Sequence, residues 1–487
     1  MADRSASFVA DSSGIVYILF KISRISIYGC LYHYPAKISK VNRLQPFLIK
    51  CKEDTGRNGV ILRRQCKRTA SRDTPCRKRL ILMKNMGCFK DFAKYSSLNV
   101  LGMIGMSCYI LADTYFVSKG LGVNGLTALN LAIPIYSFLN GSGLMVGMGA
   151  GTRYSIQRSR DDAEGANRTF SNATYMALAI ALLFFVVGLF FSGGLIRLPG
   201  AAQTLYRMSK NYLRVLLLFA PMFMMNNLLI CFVRNDGSPQ LAMAAMIGGS
   251  LSNVLLDYLF IFPLGMGIFG AVLATGLAPV ISMLIISPYI IKKKNNFHFV
   301  RTRPSLQPIK DIFSKGMPSL VTEASSGIVI IVFNAIMLGL MGNIGVAAYG
   351  VVANLSLVVV AIYTGIAQGI QPILCSNYGA GNRSNVQSIL RYALVSMPII
   401  SAAVYASMFL GASRIAGIFN SENKMLLQEI AEKGLKLYFT AAPFVGFNII
   451  ISVYFTSVDH ARPAHLISNL RGFAVIVPMA LRLSSLA

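Results

Sequence analysis

Apolar stretches of about 20 residues recur along this chain from Leu98 onward, separated by short polar segments. A helix needs about 20 apolar residues to cross the roughly 30 Å of hydrocarbon in a bilayer. Of the 487 residues, 54% are hydrophobic and only 13% are charged, which leaves too little polar surface for a water-soluble protein. The sequence therefore predicts an all-α membrane protein, since a helix satisfies its own backbone hydrogen bonds in lipid.

Counting these stretches predicts eleven membrane spans. They cover residues 98–117, 126–150, 169–196, 207–232, 240–262, 268–291, 314–340, 346–375, 390–412, 433–457 and 464–484. The breaks at 153–168, 234–240 and 292–311 are too polar to lie in lipid.

An internal repeat relates the two parts of the chain. The interval from Gly149 to Gly369 is nearly the same as the interval from Pro221 to Pro443, and the members of each pair have similar sequence around them. Repeats of this kind build many transporters from two related halves. The sequence thus predicts two pseudo-symmetric helix bundles.

The repeat also sets the expected domain bounds. We expect a first bundle of six helices at 90–291, a cytoplasmic linker at 292–313 and a second bundle at 314–487. Span 6 has no partner under the repeat, so the second bundle is expected to hold five helices and to lack a twelfth.

Positive charges indicate the orientation. The segments after spans 2, 4, 6, 8 and 10 contain sixteen Lys and Arg, with Arg234 and Arg471 among them, and the opposite segments contain nine. Because Lys and Arg concentrate on the cytoplasmic side, the N-terminus is predicted to be cytoplasmic.

Residues 1–85 do not continue the pattern of spans. They carry 18 Lys and Arg against five Asp and Glu, and their apolar run at 14–20 is too short to cross a bilayer. We expect a disordered or non-native basic extension and no nucleic-acid partner. A basic arm that contacts anionic lipid or nucleic acid is the alternative.

Asp113, Asp257 and Glu323 are the acidic residues well inside predicted spans. An ionisable group there costs at least about 2.5–3.5 kcal/mol, so it normally faces a cavity with a function. Asp113 and Asp257 lie near the outer ends of spans 1 and 5, at similar depth. Asn253 is one helical turn from Asp257, and Thr275 in span 6 adds a hydroxyl.

These carboxylate, amide and hydroxyl oxygens suit a hard monovalent cation. The same group could take up a proton instead, because a desolvated carboxyl group favours its neutral form. We expect no other metal and no cofactor.

Further polar residues in the spans are candidates for a substrate cavity. Glu323 could pair with a cationic substrate or make a structural contact, and Asn334 lies three turns further along the same helix. The intramembrane amides Asn227 and Gln368 could line a pathway or join helices. The eight Cys form no CxxC pair and no nucleophile and base constellation is evident, so an enzyme is not expected.

Long segments resemble the prokaryotic MATE (multidrug and toxic compound extrusion) transporters. They include YILADTYFVSKGLG (109–122), NVLLDYLFIFPLGMGIFGAVLATGLAP (253–279), KGMPSLVTEASSGIVIIVFN (315–334) and VAAYGVVANLSLVVVAIYTGIAQGIQPILCSNYGAG (346–381). The resemblance implies two six-helix bundles around a central cavity, with drug export driven by sodium or proton entry.

It also implies a cation site at Asp113, Asn253, Asp257 and Thr275, with Tyr109 and Asn227 beside the pathway. The extension at 1–85 and the absent twelfth helix depart from the family pattern.

The expected function is a cation-coupled antiporter, driven by Na⁺ or H⁺, that exports bulky, often cationic, organic compounds or drugs by alternating access. We expect a monomer that passes many times through the prokaryotic inner membrane, with the lipid bilayer and small molecules as its partners. A lipid or oligosaccharide flippase of the same superfamily and an inactive truncated product are the alternatives.

Overall fold

The computed structural model describes residues 75–195, 203–419 and 425–484, and these residues are almost entirely helical and contain no β-strand. The α-helices are Pro75–Arg158, Ala163–Phe190, Gln203–Leu218, Ala220–Asn235, Pro239–Ile261, Gly267–Ile291, Leu306–Gly379, Arg383–Phe419, Met425–Tyr438, Ala442–Ser457, Ala461–Asn469 and Ile476–Ser484. A 3-10 turn at Phe439–Ala441 and a π-helical turn at Leu470–Ala474 join the last four. Residues 1–74, most of the predicted extension, lie outside the described residues.

Ten segments in the described ranges are long and apolar enough to cross a bilayer, and one bent pair makes an eleventh. In chain order, spans 1 to 11 are Gly87–Gly122, Thr127–Arg158, Ala163–Phe190, Tyr206–Leu218 with Ala220–Asn235, Pro239–Ile261, Gly267–Ile291, Leu306–Gly342, Ile344–Gly379, Arg383–Gly417, Met425–Ser457 and Ala461–Arg482. The predicted all-α membrane fold is therefore confirmed.

Span 1 begins earlier than the hydropathy predicts. Lys90 and Lys94 are exposed, whereas Cys88 and Phe92 are buried one turn apart. One apolar stripe is enough to hold a helix against its neighbours, even where the opposite face is polar. The helix therefore continues beyond the stretch that hydropathy alone identifies.

Each half of the chain has its own buried core. Most of the first core comes from spans 1 to 6, and most of the second from spans 8 to 10. Ile312 and Leu320, near the start of span 7, pack into the first core. Cys88 and Phe92, near the start of span 1, pack into the second. Each bundle thus receives one helix end from the other half.

The backbone repeats with the same period as the sequence. Gly122 has φ 64° and ψ −157°, and Gly342, its counterpart in the second half, has φ 63° and ψ −152°. This region of backbone conformation is open essentially to glycine alone. Spans 1 and 7 therefore end on the same sharp break.

A second pair of breaks falls in spans 4 and 10. Span 4 bends by 48° between Leu218 and Ala220, just before Pro221. Span 10 is interrupted by the 3-10 turn just before Pro443. Proline has no N–H to donate to the preceding turn, so both helices restart at equivalent positions of the repeat.

Glycines allow the two halves to cross closely. A Cβ added at Gly369 in span 8 would lie 2.7 Å from the Tyr95 carbonyl oxygen and 2.8 Å from the Ser96 Cα. Its repeat partner Gly149 in span 2 faces the backbone of span 7 at Ile312. Small residues let membrane helices meet backbone to backbone, so these positions hold the bundles together.

The connection between the halves packs against the first bundle. It is non-helical only up to Ser305, since the next helix begins at Leu306, within the predicted linker 292–313. The Phe297 ring is buried, with its centroid 4.8 Å from that of Phe170 and 5.4 Å from that of Phe232. The connection is thus anchored to the first bundle by this ring.

Replacing Gly369 by Ala should lower the thermal stability of the protein in detergent. The added methyl group would overlap the backbone of span 1, and overpacking of this kind costs about 1–3 kcal/mol. Gly350→Ala, in the same span but with no atom within 4 Å of the added Cβ, is the matched control and should melt like the wild type. Equal melting of the two variants would contradict the close crossing.

Candidate cation site and interbundle cavity

Two buried carboxyl groups lie near the same end of the first bundle. Asp113 in span 1 is 7% exposed, and Asp257 in span 5 is fully buried. Their charges are close enough to interact. One oxygen of each, Oδ1, is buried and has no hydrogen-bond partner. Both acids therefore keep a lone pair available in an apolar environment.

Asn253 holds Asp257 in position. Its side-chain nitrogen donates to Asp257 Oδ2 at 3.0 Å, and its oxygen accepts from the Thr275 backbone N–H at 3.2 Å. The Thr275 hydroxyl donates to the Ala271 carbonyl at 3.0 Å, and its oxygen can also accept hydrogen bonds. Three of the predicted residues thus form one contact group across spans 5 and 6.

Three tyrosines extend this group, and only Tyr109 was identified from the sequence. Tyr212 of span 4 is buried and contacts the Thr275 side chain. It is close enough to Asp113 and Asp257 to interact with their charges. The Tyr109 and Tyr136 hydroxyls are 2.8 Å apart. Tyr212 follows a run of charged and polar residues in sequence, so hydropathy gives no sign that its ring faces inward.

The set of ligands at the acid pair suits a small monovalent cation. Carboxylate oxygens, an amide oxygen and hydroxyl oxygens are hard donors. Buried carboxylates without a partner are costly, so either a cation or a proton relieves the cost. The donor set is therefore chemically suited to one positive charge.

A separate cavity opens between the two bundles. Its wall contains Glu323 of span 7, Arg471 of span 11 and Gln368 of span 8. The Asn140 amide of span 2 faces the Glu323 carboxyl group and accepts a hydrogen bond from the Asn227 side chain at 3.0 Å. Glu323 thus lies where polar groups from both halves meet.

Arg234, in the last turn of span 4, is fully buried between the bundles. Its Nη1 donates to Asn99 Oδ1 of span 1 and to Gln368 Oε1 of span 8, both at 2.8 Å. The neighbouring Gln371 donates to the Thr152 hydroxyl at 2.9 Å. Hydrogen bonds between the halves thus cluster at the end where spans 2, 4 and 8 finish.

The structure places two arginines inside the bundle, whereas the charge pattern assigns them to the segments between spans. Arg234 and Arg471 were counted with the polar segments between spans, but both lie inside helices and contact buried groups. Isolated arginines near a span end resemble loop residues in hydropathy. Only the partners from other helices identify them as interior residues.

The predicted cavity residues are not all brought together. Glu323 and Gln368 line the interbundle cavity. Asn227 does not line it, but donates to Asn140, which faces Glu323. Tyr109 lies on the side of the acid pair. Asn334 is partly exposed and forms no hydrogen bond with another described residue. The Tyr136 hydroxyl, which is hydrogen-bonded to that of Tyr109, is close enough to interact electrostatically with both Glu323 and Asp113.

Taken together, the fold and site define a multi-pass membrane protein of two repeated helix bundles, with a cavity that contains polar and charged groups between them. A family model, MatE, matches residues 100–259 and 318–480, one match in each half. The chain belongs to the MatE family.

Curated relatives agree with this assignment. The multidrug export protein MepA of Staphylococcus aureus strain MSSA476 is 24% identical over 400 residues, which cover 82% of this chain and 88% of MepA. MepA of Staphylococcus saprophyticus is 24% identical over 404 residues, with the same coverage.

Solved structures share the fold. An outward-facing multidrug resistance MATE transporter of the MOP superfamily superposes with a TM-score of 0.75 at 23% identity and covers 82% of this chain and 93% of its own. A MOP superfamily transporter from Pyrococcus furiosus, described as having a binding pocket of reverse polarity, has a TM-score of 0.76 at 25% identity, with 81% and 88% covered.

Asn253→Ala should destabilise the protein in detergent. It removes both the donor to Asp257 Oδ2 and the acceptor for the Thr275 N–H, and hydrogen bonds between membrane helices contribute about 0.6–2 kcal/mol. Asn334→Ala is the matched control, because that side chain is partly exposed and without a hydrogen bond to another described residue. Thermal unfolding of the two variants measures the difference, and equal melting would contradict the contact group.

Proposed function

We propose that this chain is a cation-coupled secondary antiporter that exports bulky, often cationic, organic compounds. The observation that carries the proposal is the pair of buried carboxyl groups, Asp113 and Asp257, each with an unpaired oxygen. The export activity named for the MepA relatives supports the same direction of transport. Sodium and protons are the two candidate coupling ions.

The arrangement of the bundles supports alternating access. Contacts between the halves concentrate at one end, where Arg234 bonds both span 1 and span 8. Breaking this set of hydrogen bonds would open the cavity at that end, while the opposite ends approach. The matched breaks in spans 1, 4, 7 and 10 give both bundles the same hinge positions.

Coupling follows if the cation binds the two conformations with different affinity. A cation at Asp113 and Asp257 removes the cost of their unpaired charges and changes how tightly spans 1 and 5 pack. Span 1 also packs against the second bundle through Phe92. A change at its acidic end would therefore reach the contact between the halves.

The proposal includes the orientation of the chain in the membrane and the membrane in which it lies. Lys and Arg of the segments after the even-numbered spans favour a cytoplasmic N-terminus, even without Arg234 and Arg471. The acid pair would then face the outside and the Arg234 contacts the cytoplasm. We place the protein in the inner membrane of a prokaryotic cell, acting as a monomer because one chain supplies both bundles.

The test is export from vesicles of defined composition. The purified protein is reconstituted, loaded with a fluorescent cationic dye, and given an inward sodium gradient or an inward pH gradient separately. We expect one gradient to drive dye movement and its dissipation by an ionophore to stop it. Dye movement that is insensitive to both gradients would overturn cation coupling.

Neutralising either acid should abolish coupled export. Asp113→Asn and Asp257→Asn each remove a negative charge that the coupling cation requires, so we expect export driven by the gradient to fall to the background rate of protein-free vesicles. Asp161→Asn, in an exposed turn after span 2, is the matched control. Wild-type rates in both acid variants, at equal amounts of protein in the membrane, would contradict the assignment.

A further inference from the structure

The wall of the interbundle cavity combines apolar surface with converging polar groups. More than half of its lining residues are polar or charged, while most of its exposed surface is apolar. Ligand pockets commonly have this composition, in which a few polar groups fix the orientation of the ligand. Glu323 and Arg471 are the charged members of this lining. The cavity therefore offers one negative and one positive group.

Arg471 is held at the cavity by a local distortion of span 11. It lies on the π-helical turn Leu470–Ala474, a distortion that is frequent at functional sites. The next residue, Gly472, is buried, and a Cβ added there would lie 3.0 Å from Ser325 Cβ in span 7. Spans 11 and 7 thus meet beside the cavity with little freedom to move Arg471.

The guanidinium group has unused donors. Arg471 Nη1 is buried and has no hydrogen-bond partner. Its charge interacts with Glu323, yet these two side chains do not form a direct ion pair in the structure. A buried donor without a partner is destabilising, because it has lost its hydrogen bonds to water. An acceptor brought by a ligand would remove this cost.

Arg234 is a second buried arginine, and it differs from Arg471 in its position. Its Nη1 has two oxygen acceptors, from Asn99 and Gln368, while its Nε has no partner, and it does not line the cavity. Glu323 likewise has a neutral partner in Asn140. Arg471 combines an open donor with a position on the cavity wall, and this combination indicates recognition of a ligand rather than structural support alone.

We propose that Arg471 binds the carboxylate of a zwitterionic organic substrate, whose cationic group faces Glu323. This inference rests on the proposed export function and narrows its substrate class. A guanidinium offers paired N–H donors that match a carboxylate, and such bonds strengthen where water is excluded. A compound with only a positive charge would be attracted by Glu323 but repelled by Arg471.

The test compares one xanthene dye in two forms, the free carboxylate, which is zwitterionic, and its methyl ester, which is only cationic. Binding to the purified full chain in lipid nanodiscs is measured by fluorescence anisotropy, so the readout does not depend on transport. We expect the wild type to bind the free carboxylate about tenfold more tightly than the ester, the order of effect of one charge-assisted hydrogen bond.

Arg471→Gln should remove this preference, and Arg471→Lys should restore part of it. Arg391→Gln, at an exposed position of span 9, is the matched control and should keep it. A wild type that prefers the ester, or an Arg471→Gln variant that keeps the preference for the carboxylate, would overturn the proposal.

The double variant Glu323→Gln with Arg471→Gln tests whether Arg471 binds the carboxylate of the ligand or only neutralises the charge of Glu323. If Arg471 only neutralises Glu323, removing both charges restores the wild-type preference, and the proposal is wrong. If Arg471 recognises the ligand, the double variant still binds both forms alike. Wild-type protein that binds the dyes but moves neither in vesicles would contradict the export function while leaving the binding result intact.

Discussion

The cost of placing charge in hydrocarbon shapes the interior of this protein. Insertion of one charged side chain costs at least about 2.5–3.5 kcal/mol, so each interior charge needs a partner, a cavity or an exchangeable ion. Arg234 has neutral acceptors from two bundles. Glu323 and Arg471 line one cavity. Asp113 and Asp257 keep unpaired oxygens, and that difference makes them the place where a cation would matter.

The backbones of the two halves are similar, although their buried charges differ. Gly122 and Gly342 have the same backbone break at equivalent positions of the repeat, but the acid pair does not repeat. The position equivalent to Asp113 in the second half is Phe333, and the position equivalent to Asp257 is Leu481. The first bundle is therefore specialised for charge, while the second contributes Glu323 and Arg471 to the cavity. In the proposed mechanism, one half would bind the ion and both halves would bind the substrate.

Much of the fold follows from the sequence because the bilayer imposes a simple rule on length and polarity. The eleven spans and the repeat, which includes Gly149 and Gly369, could be predicted, whereas the close helix crossings at these two glycines could not. Helix ends could not, since the exposed face of span 1 near Lys90 hides a buried stripe. The contact of Asn253 with Asp257 also followed, because residues four apart share one helix face.

The remaining site residues depend on which helices become neighbours, and a single sequence does not contain that information. Tyr212 meets Thr275 only because spans 4 and 6 pack together. In the sequence, Arg471 does not differ from other positive charges near span ends. In the structure, the π-helical turn places it close to Glu323. Long-range pairs of this kind, rather than local patterns, separate the observed site from the predicted one.

The most direct test of the central claim is to measure how the acid pair sets the balance between conformations. Spin labels at Arg160 and Asn382, in the turns after spans 2 and 8, report the separation of the halves at the Arg234 end. Adding the coupling cation, sodium or protons, should increase the population with a short distance, in which this end is closed as in the structure. The variant with Asp113→Asn and Asp257→Asn should not respond. An unchanged wild-type distribution with both cations, or the same shift in the double variant, would contradict the account.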